Sequence, residues 1–271
     1  LVVYFVNYYI ARQGDDTWLN TIGWRWMFAS EIIPALLFLL FLFFVPDTPR
    51  SLVLKDKPEK ALAVLTKVNG LEEAKIILAE IQNTVVSHSG KLFSFGTAVI
   101  VIGILLSVFQ QFVGINVVLY YAPEIFKNMG SGTDTALLQT IIVGSVNLLF
   151  TVLAILTVDK LGRKPLMMIG ALGMAISMFA LGATFFTQTL GWSALIFMLV
   201  YVASFAMSWG PVTWVLLSEI FPNSIRGAMS IAVAAQWLAN LIVSWTFPMM
   251  NDNKWLSGLF HQGFAYWIYG V

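Results

Sequence analysis

The sequence predicts an all-α membrane protein. Hydrophobic residues make up 59% of it and charged residues 11%, well under the roughly 25% charge of a soluble domain. Apolar runs recur at or above the ~20 residues that a helix needs to cross a bilayer. One run also carries uncharged hydrogen-bonding side chains, Gln110, Gln111, Asn116, Tyr120 and Tyr121. Each of these is costly in hydrocarbon unless it finds a partner.

The elements follow in order. The run 1–11 is too short to span and reads as the tail of a helix; Leu1 and Val271 both fall inside apolar runs, as in a segment whose ends lie within helices. Residues 12–23 read as a short polar loop. A full span is predicted over 24–45, with Trp24 and Trp26 at an interface, and Pro46-Asp47-Thr48-Pro49-Arg50 stops it. In 51–91 Lys and Glu alternate with Leu, Ile and Val at helical spacing. That pattern predicts short amphipathic helices from Pro58 and from Leu71, lying outside the bilayer. Further spans are predicted over 92–129, 137–158, 165–187, 192–220 and 227–250, and 263–271 opens another. The first of these is too long for one straight helix. Gly114 is the expected break, with the second half running out through Pro123. Gly210-Pro211 predicts a kink or hinge in the span 192–220.

Net charge is +1 and there is no basic tract, which argues against a nucleic-acid partner. Cysteine is absent, which excludes disulfides, thiolate metal sites and a cysteine nucleophile. His88 and His261 are the only histidines, and this topology puts them on opposite sides of the membrane; no metal-ligand or Ser-His-Asp spacing joins them, so an enzyme is not expected. Eleven of the fifteen Lys and Arg residues fall in 46–91, 159–164 and 219–228. Positive-inside bias puts those loops in the cytoplasm.

Carboxamides and phenols donate and accept hydrogen bonds without charge, which suits a ligand made of hydroxyl groups better than an ion. The competing reading is interhelical hydrogen bonding, the common role of intramembrane Asn and Gln. At 100° per residue Gln110, Gly114 and Tyr121 share a face, with Gln111 beside them. Asn116 lies about 140° from Gln111 on an ideal helix, so the two meet one ligand only if the helix breaks between them. A discontinuous helix at the midplane is how transporters generally expose polar groups to a substrate. Gln110 and Gln111 would then form a fixed floor, and Asn116, Tyr120 and Tyr121 an outer half-helix that closes over the ligand. Trp214, one turn beyond Gly210, is placed to stack on a sugar ring. Gln236 and Asn240 share a face, with Trp237 adjacent. Gln236 reads as a ligand contact and Asn240 as interhelical glue, while Asn147 fits either role. Glu31, an acid inside an apolar run, reads as a structural hydrogen-bonding group with proton coupling as the alternative. At the cytoplasmic boundary Asp159, Arg163, Glu219 and Arg226 can pair across two loops and lock helix ends together in one state; simple interfacial solvation is the alternative.

Four motifs occur in order: Pro46-Asp47-Thr48-Pro49-Arg50; Gln110-Gln111-x-x-Gly114-x-Asn116-x-x-x-Tyr120-Tyr121; Asp159-x-x-Gly162-Arg163-Lys164; and Gly210-Pro211-x-x-Trp214 followed by Glu219, Pro222 and Arg226. With these the chain resembles the sugar porter family of the major facilitator superfamily along its whole length. The resemblance implies the end of transmembrane helix 5 and helix 6 over 1–45, a cytoplasmic loop of short amphipathic helices over 46–91, and helices 7 to 11 with the start of helix 12 over 92–271. It implies a monosaccharide held near the bilayer midplane by Gln110, Gln111, Asn116, Tyr120, Asn147, Gly210, Trp214, Gln236 and Trp237. Tyr121, Asp159, Arg163, Glu219 and Arg226 would gate access. The runs 117–124 and 232–240 point within the family to bacterial pentose symporters. They imply transport of D-xylose coupled to a proton, in a bacterial inner membrane, by a monomer that uses no other cofactor. The family's coupling acid is an aspartate in helix 1, outside this sequence, so a passive uniporter and a non-transporting sugar sensor are the alternatives.

Overall fold

A computed structural model describes residues 1–86, 96–221 and 226–271, with the side chains of 84–86 and 226–228 outside the description. Among the described residues six helical stretches are long and apolar enough to cross a membrane: Asp16–Leu42, Thr97–Tyr120, Thr133–Leu161, Arg163–Phe186, Trp192–Ile220 and Met229–Asn251. The chain forms two compact units, one of Phe28–Phe95 with Pro222–Arg226, and a larger one of the remainder.

In the larger unit α1 covers Val2–Ala11. The next helix starts earlier than its sequence pattern suggests. Asp15 caps α2 (Asp16–Trp18) by accepting the Trp18 N–H at 2.8 Å. One π-helical turn, Leu19–Gly23, then leads into α3 (Trp24–Ser30). The predicted loop 12–23 is therefore largely helical, because a capping aspartate offsets the cost of starting a helix among polar residues.

The smaller unit holds the rest of that span, α4 (Ile32–Leu42), whose apolar side chains are exposed throughout. Glu31 sits exposed at the irregular turn between α3 and α4. Thr48 then caps α5 (Pro49–Leu54), with Pro49 in the first turn where its missing N–H costs nothing. α6 (Pro58–Asn69) ends at Gly70, and α7 (Leu71–Val86) follows. Leu52, Ala61, Leu65 and Ala74 are buried among these three helices. They form the single apolar stripe that the Lys/Glu alternation predicts.

In the larger unit the long polar-bearing span is broken twice. α8 (Thr97–Phe112) stops before Gly114, which takes the left-handed conformation at φ +83°. α9 (Ile115–Tyr120) is only six residues long, and α10 (Ala122–Asn128) follows a second irregular joint at Tyr121. α11 (Thr133–Leu161) and α12 (Arg163–Phe186) are separated by Gly162 alone, at φ +85°. α13 (Trp192–Met207) gives way to α14 (Trp209–Ile220) at Ser208. α15 (Arg226–Asn251), α16 (Lys254–Phe260) and α17 (Phe264–Gly270) complete the chain.

The main core gathers Ile115, Val118, Phe126, Met178, Tyr201 and Tyr266 with their neighbours. α12 and α13 pack closely because Gly173 faces Ser204 and Gly170 faces Ser208, so a side chain at either glycine would collide with its partner. The core thus gathers buried residues of α9, α11, α12 and α13 in one cluster, and the polar residues of α8 and α9 lie beside it.

Candidate functional site

Buried carboxamides converge where α8, α9, α14 and α15 meet. Gln110 and Gln111 close α8 and are buried, as is Gln236 on α15. Gln110 Nε2 donates to the Trp209 carbonyl at 2.9 Å and to the Gly210 carbonyl at 3.3 Å. Its Oε1 accepts from Gln236 Nε2 at 2.7 Å and, more weakly, from Gln111 Nε2 at 3.5 Å. Asn116 Nδ2 donates both to Gln111 Oε1 and to Asn240 Oδ1, the latter at 2.9 Å. Gln236 Oε1 is buried with no partner among the described residues. In a dry site such an atom carries a desolvation cost of about 1–3 kcal/mol, which an arriving hydroxyl donor would offset.

The break at Gly114 makes this geometry possible. On a continuous helix Gln111 and Asn116 face away from each other, whereas here their side chains are hydrogen-bonded. A second tie steadies the break: the buried Tyr201 hydroxyl on α13 donates to the Val113 carbonyl at 2.6 Å. A further phenol, Tyr121, donates to the Ser244 carbonyl on α15 at 3.1 Å.

The other predicted residues are distributed around this cluster. Gly210 contributes its carbonyl and Trp214 is one turn along α14, 41% exposed. Tyr120 and Trp237 are 57% and 59% exposed, and neither makes a hydrogen bond within the amide cluster. Asn147 is half-buried on α11, and its carbonyl accepts the Thr151 hydroxyl. Sequence reasoning gave Asn240 to interhelical bonding and did not single out Ser244, Tyr201 or Asn7. A small cavity of about 140 Å³ beside Tyr120 is lined also by Tyr4, Asn7 and Thr140. There Asn7 Oδ1 is a second buried acceptor without a partner among the described residues. A larger cavity of about 640 Å³, lined by Phe109, Phe112, Met174, Trp209, Ile242 and Tyr269 among others, is mostly apolar and offers a hydroxyl-rich ligand few partners.

A charged group forms at the end of α14, where Arg163 opens α12. Its guanidinium donates through Nε and Nη2 to one oxygen of Glu219, at 3.2 and 2.9 Å, and pairs through Nη1 with Asp159 at 3.0 Å. The predicted pairing of these three is present. The Arg226 side chain and His88 lie outside the described residues. Among the described residues no three His, Cys, Asp or Glu side chains gather into a metal-binding group.

The family model described as "Sugar (and other) transporter" matches residues 1–271. The chain is 65% identical to the D-xylose-proton symporter of Escherichia coli (strain K12), over all of this chain and 56% of that protein. It is 44% identical to the glucose facilitated diffusion protein of Zymomonas mobilis, over all of this chain and 58% of that protein. The chain thus spans just over half the length of the curated relatives it matches. Among solved structures it resembles the major facilitator proton:xylose symporter XylE bound to 6-bromo-6-deoxy-D-glucose, with a TM-score of 0.85 and 65% identity over 99% of this chain and 57% of that one. The chain is a multi-pass membrane protein with the major facilitator fold, and it belongs to the sugar (and other) transporter family.

Proposed function

We propose that this chain is part of a secondary transporter that carries D-xylose together with a proton across a bacterial inner membrane, as a monomer working by alternating access. The observation that carries this reading is the uncharged amide cluster of buried Gln110, Gln111 and Gln236 with half-buried Asn116. It holds fixed donors together with an acceptor unpaired among the described residues, at the level where the helix is broken. An array of neutral hydrogen-bonding groups favours a polyhydroxylated ligand over an ion. The likeness to a protein named a D-xylose-proton symporter supports the choice of sugar and of coupling ion. In this reading the exposed rings of Trp214, Tyr120 and Trp237 border the sugar, with the Gly210 backbone and Asn147 completing the pocket. Tyr121 and the Asp159–Arg163–Glu219–Arg226 group control access from the two sides. The loops 46–91, 159–164 and 219–228 are cytoplasmic. Residues 1–45 supply the end of helix 5 and helix 6, 46–91 the cytoplasmic helices, and 92–271 helices 7 to 11 with the start of helix 12.

The test is uptake of labelled D-xylose by cells expressing the full-length transporter, with and without a protonophore, alongside Gln110→Ala. Accumulation that collapses with either treatment supports coupled symport through this cluster. Equilibration that ignores the protonophore means a uniporter, in line with the likeness to a facilitated diffusion protein. Xylose binding without uptake would make the protein a sensor.

A further inference from the structure

Three positions on one face of α15 form rungs that straddle the break in the opposing helix. Gln236 holds α8 below the break, through Gln110. Asn240, four residues on, accepts from Asn116 in the first turn of α9. Ser244, four further, accepts at its carbonyl from Tyr121, the residue that ends α9, and the Tyr121 ring packs at 5.3 Å on Phe247. The half-helix α9 is thus a six-residue rod between two irregular joints, tied to α15 at both ends. Asn116 spends both amide hydrogens inside the protein, one on Gln111 and one on Asn240. Its Oδ1 is then the atom left to accept a hydrogen bond. Ser244 Oγ donates to Asn240 Oδ1 at 3.2 Å, holding that oxygen toward Asn116.

We propose that Asn240 is a positioning residue. Its Oδ1, oriented by Ser244, latches α9 to α15 and fixes the Asn116 amide so that Oδ1 is presented as an acceptor for a substrate hydroxyl. The substrate half of this statement rests on the function proposed above; the latch does not. Binding a hydroxyl at Asn116 Oδ1 leaves the latch intact, so an occupied site and a closed α9 reinforce each other. Loss of the latch frees α9 to pivot at Gly114 and Tyr121.

The latch is read by the access of an impermeant maleimide to Val118→Cys, a fully buried position on α9, in the full-length transporter with any other cysteine replaced by serine. Asn240→Ala should speed labelling about fivefold, the equilibrium equivalent of one net hydrogen bond. Asn240→Asp, which keeps an accepting oxygen, should label like the parent. Tyr121→Phe, which removes the other tie, should speed labelling as Asn240→Ala does, and it carries the test if Asn240→Ala fails to fold. Unchanged labelling in Asn240→Ala, or equal acceleration in the Ala and Asp variants, overturns the latch. D-xylose affinity measured on the same proteins separates the two readings. Asn240-dependent labelling in a parent that binds no xylose keeps the latch and removes the proposed substrate; xylose binding with labelling indifferent to Asn240 does the reverse.

Discussion

Gln236 Nε2 donates to Gln110 Oε1 at 2.7 Å, while the oxygen of the same Gln236 amide is buried without a partner among the described residues. One end of the side chain is structural and the other is idle in the protein alone. Gln236→Met keeps the volume, removes the idle acceptor and gives up one hydrogen bond. The two changes in stability oppose each other at about 1 kcal/mol each, so thermal unfolding should move little. Sugar affinity should fall at least about tenfold, the worth of a lost hydrogen bond in a dry site. Parallel unfolding and binding curves check this, and a large drop in unfolding temperature with affinity unchanged would mean that the cluster is glue.

Gly114 carries a second constraint. Its φ of +83° is strained for any residue with a side chain, and a Cβ there would meet the Tyr269 ring at 2.7 Å. Gly114→Ala should destabilise the protein by roughly 1–3 kcal/mol and slow transport. Adding Tyr269→Ala clears the ring but leaves the backbone strain. Measured against Tyr269→Ala alone, Gly114→Ala should therefore still cost stability, though less than in the parent, and no cost there would place the whole penalty in the ring contact.

Arg163 joins the first turn of α12 to the last turn of α14 by pairing with Glu219 as well as with Asp159. The group is solvent-exposed, so its bonds contribute little to folding. Their effect is expected on the balance between transporter states. Arg163→Gln and Glu219→Gln should each shift that balance up to about fivefold in the same direction, with the double variant no further displaced. Distance measurements between spin labels on the cytoplasmic helix ends would read the shift. Additive effects in the double variant would mean that the two residues act separately.

Much of this architecture is legible in the sequence because membrane helices announce themselves by length and polarity. The break at Gly114 follows from a run too long for one span with a glycine inside it. The kink expected at Gly210-Pro211 falls at Ser208 in the structure. The reason lies in proline geometry: the Pro211 ring crowds the carbonyl four residues earlier, at Met207, and cannot donate to it. The disturbance therefore falls one turn upstream of the proline, where α13 ends. The helical start at Asp16 is hidden from a hydropathy pattern, to which Asp15, Asp16 and Asn20 look like loop residues and which has no means of reading a cap. Asn116 and Asn240 are the clearest limit. Their 2.9 Å bond joins residues 124 apart in sequence, and no local periodicity signals which face of α15 meets α9.

Tyr201 offers a test of how firmly the break is held. Its ring is fully buried on α13, and its hydroxyl donates at 2.6 Å to the Val113 carbonyl, at the last step before the left-handed glycine. Tyr201→Phe preserves the packing and deletes only that donor. Because a buried carbonyl deprived of a partner costs about 1–3 kcal/mol, the variant should lose stability by that amount although it removes a single oxygen. If the bond also sets where α8 ends, Gln110 and Gln111 lose registry with Gln236 and Asn116, and sugar affinity falls with stability. Thr140→Val serves as the comparison: Thr140 is also buried, and its hydroxyl donates to the Ala136 carbonyl of its own helix. A similar loss of affinity in both variants would trace it to general loosening. A loss confined to Tyr201→Phe assigns the phenol the task of holding the broken helix in the register that the amide cluster requires.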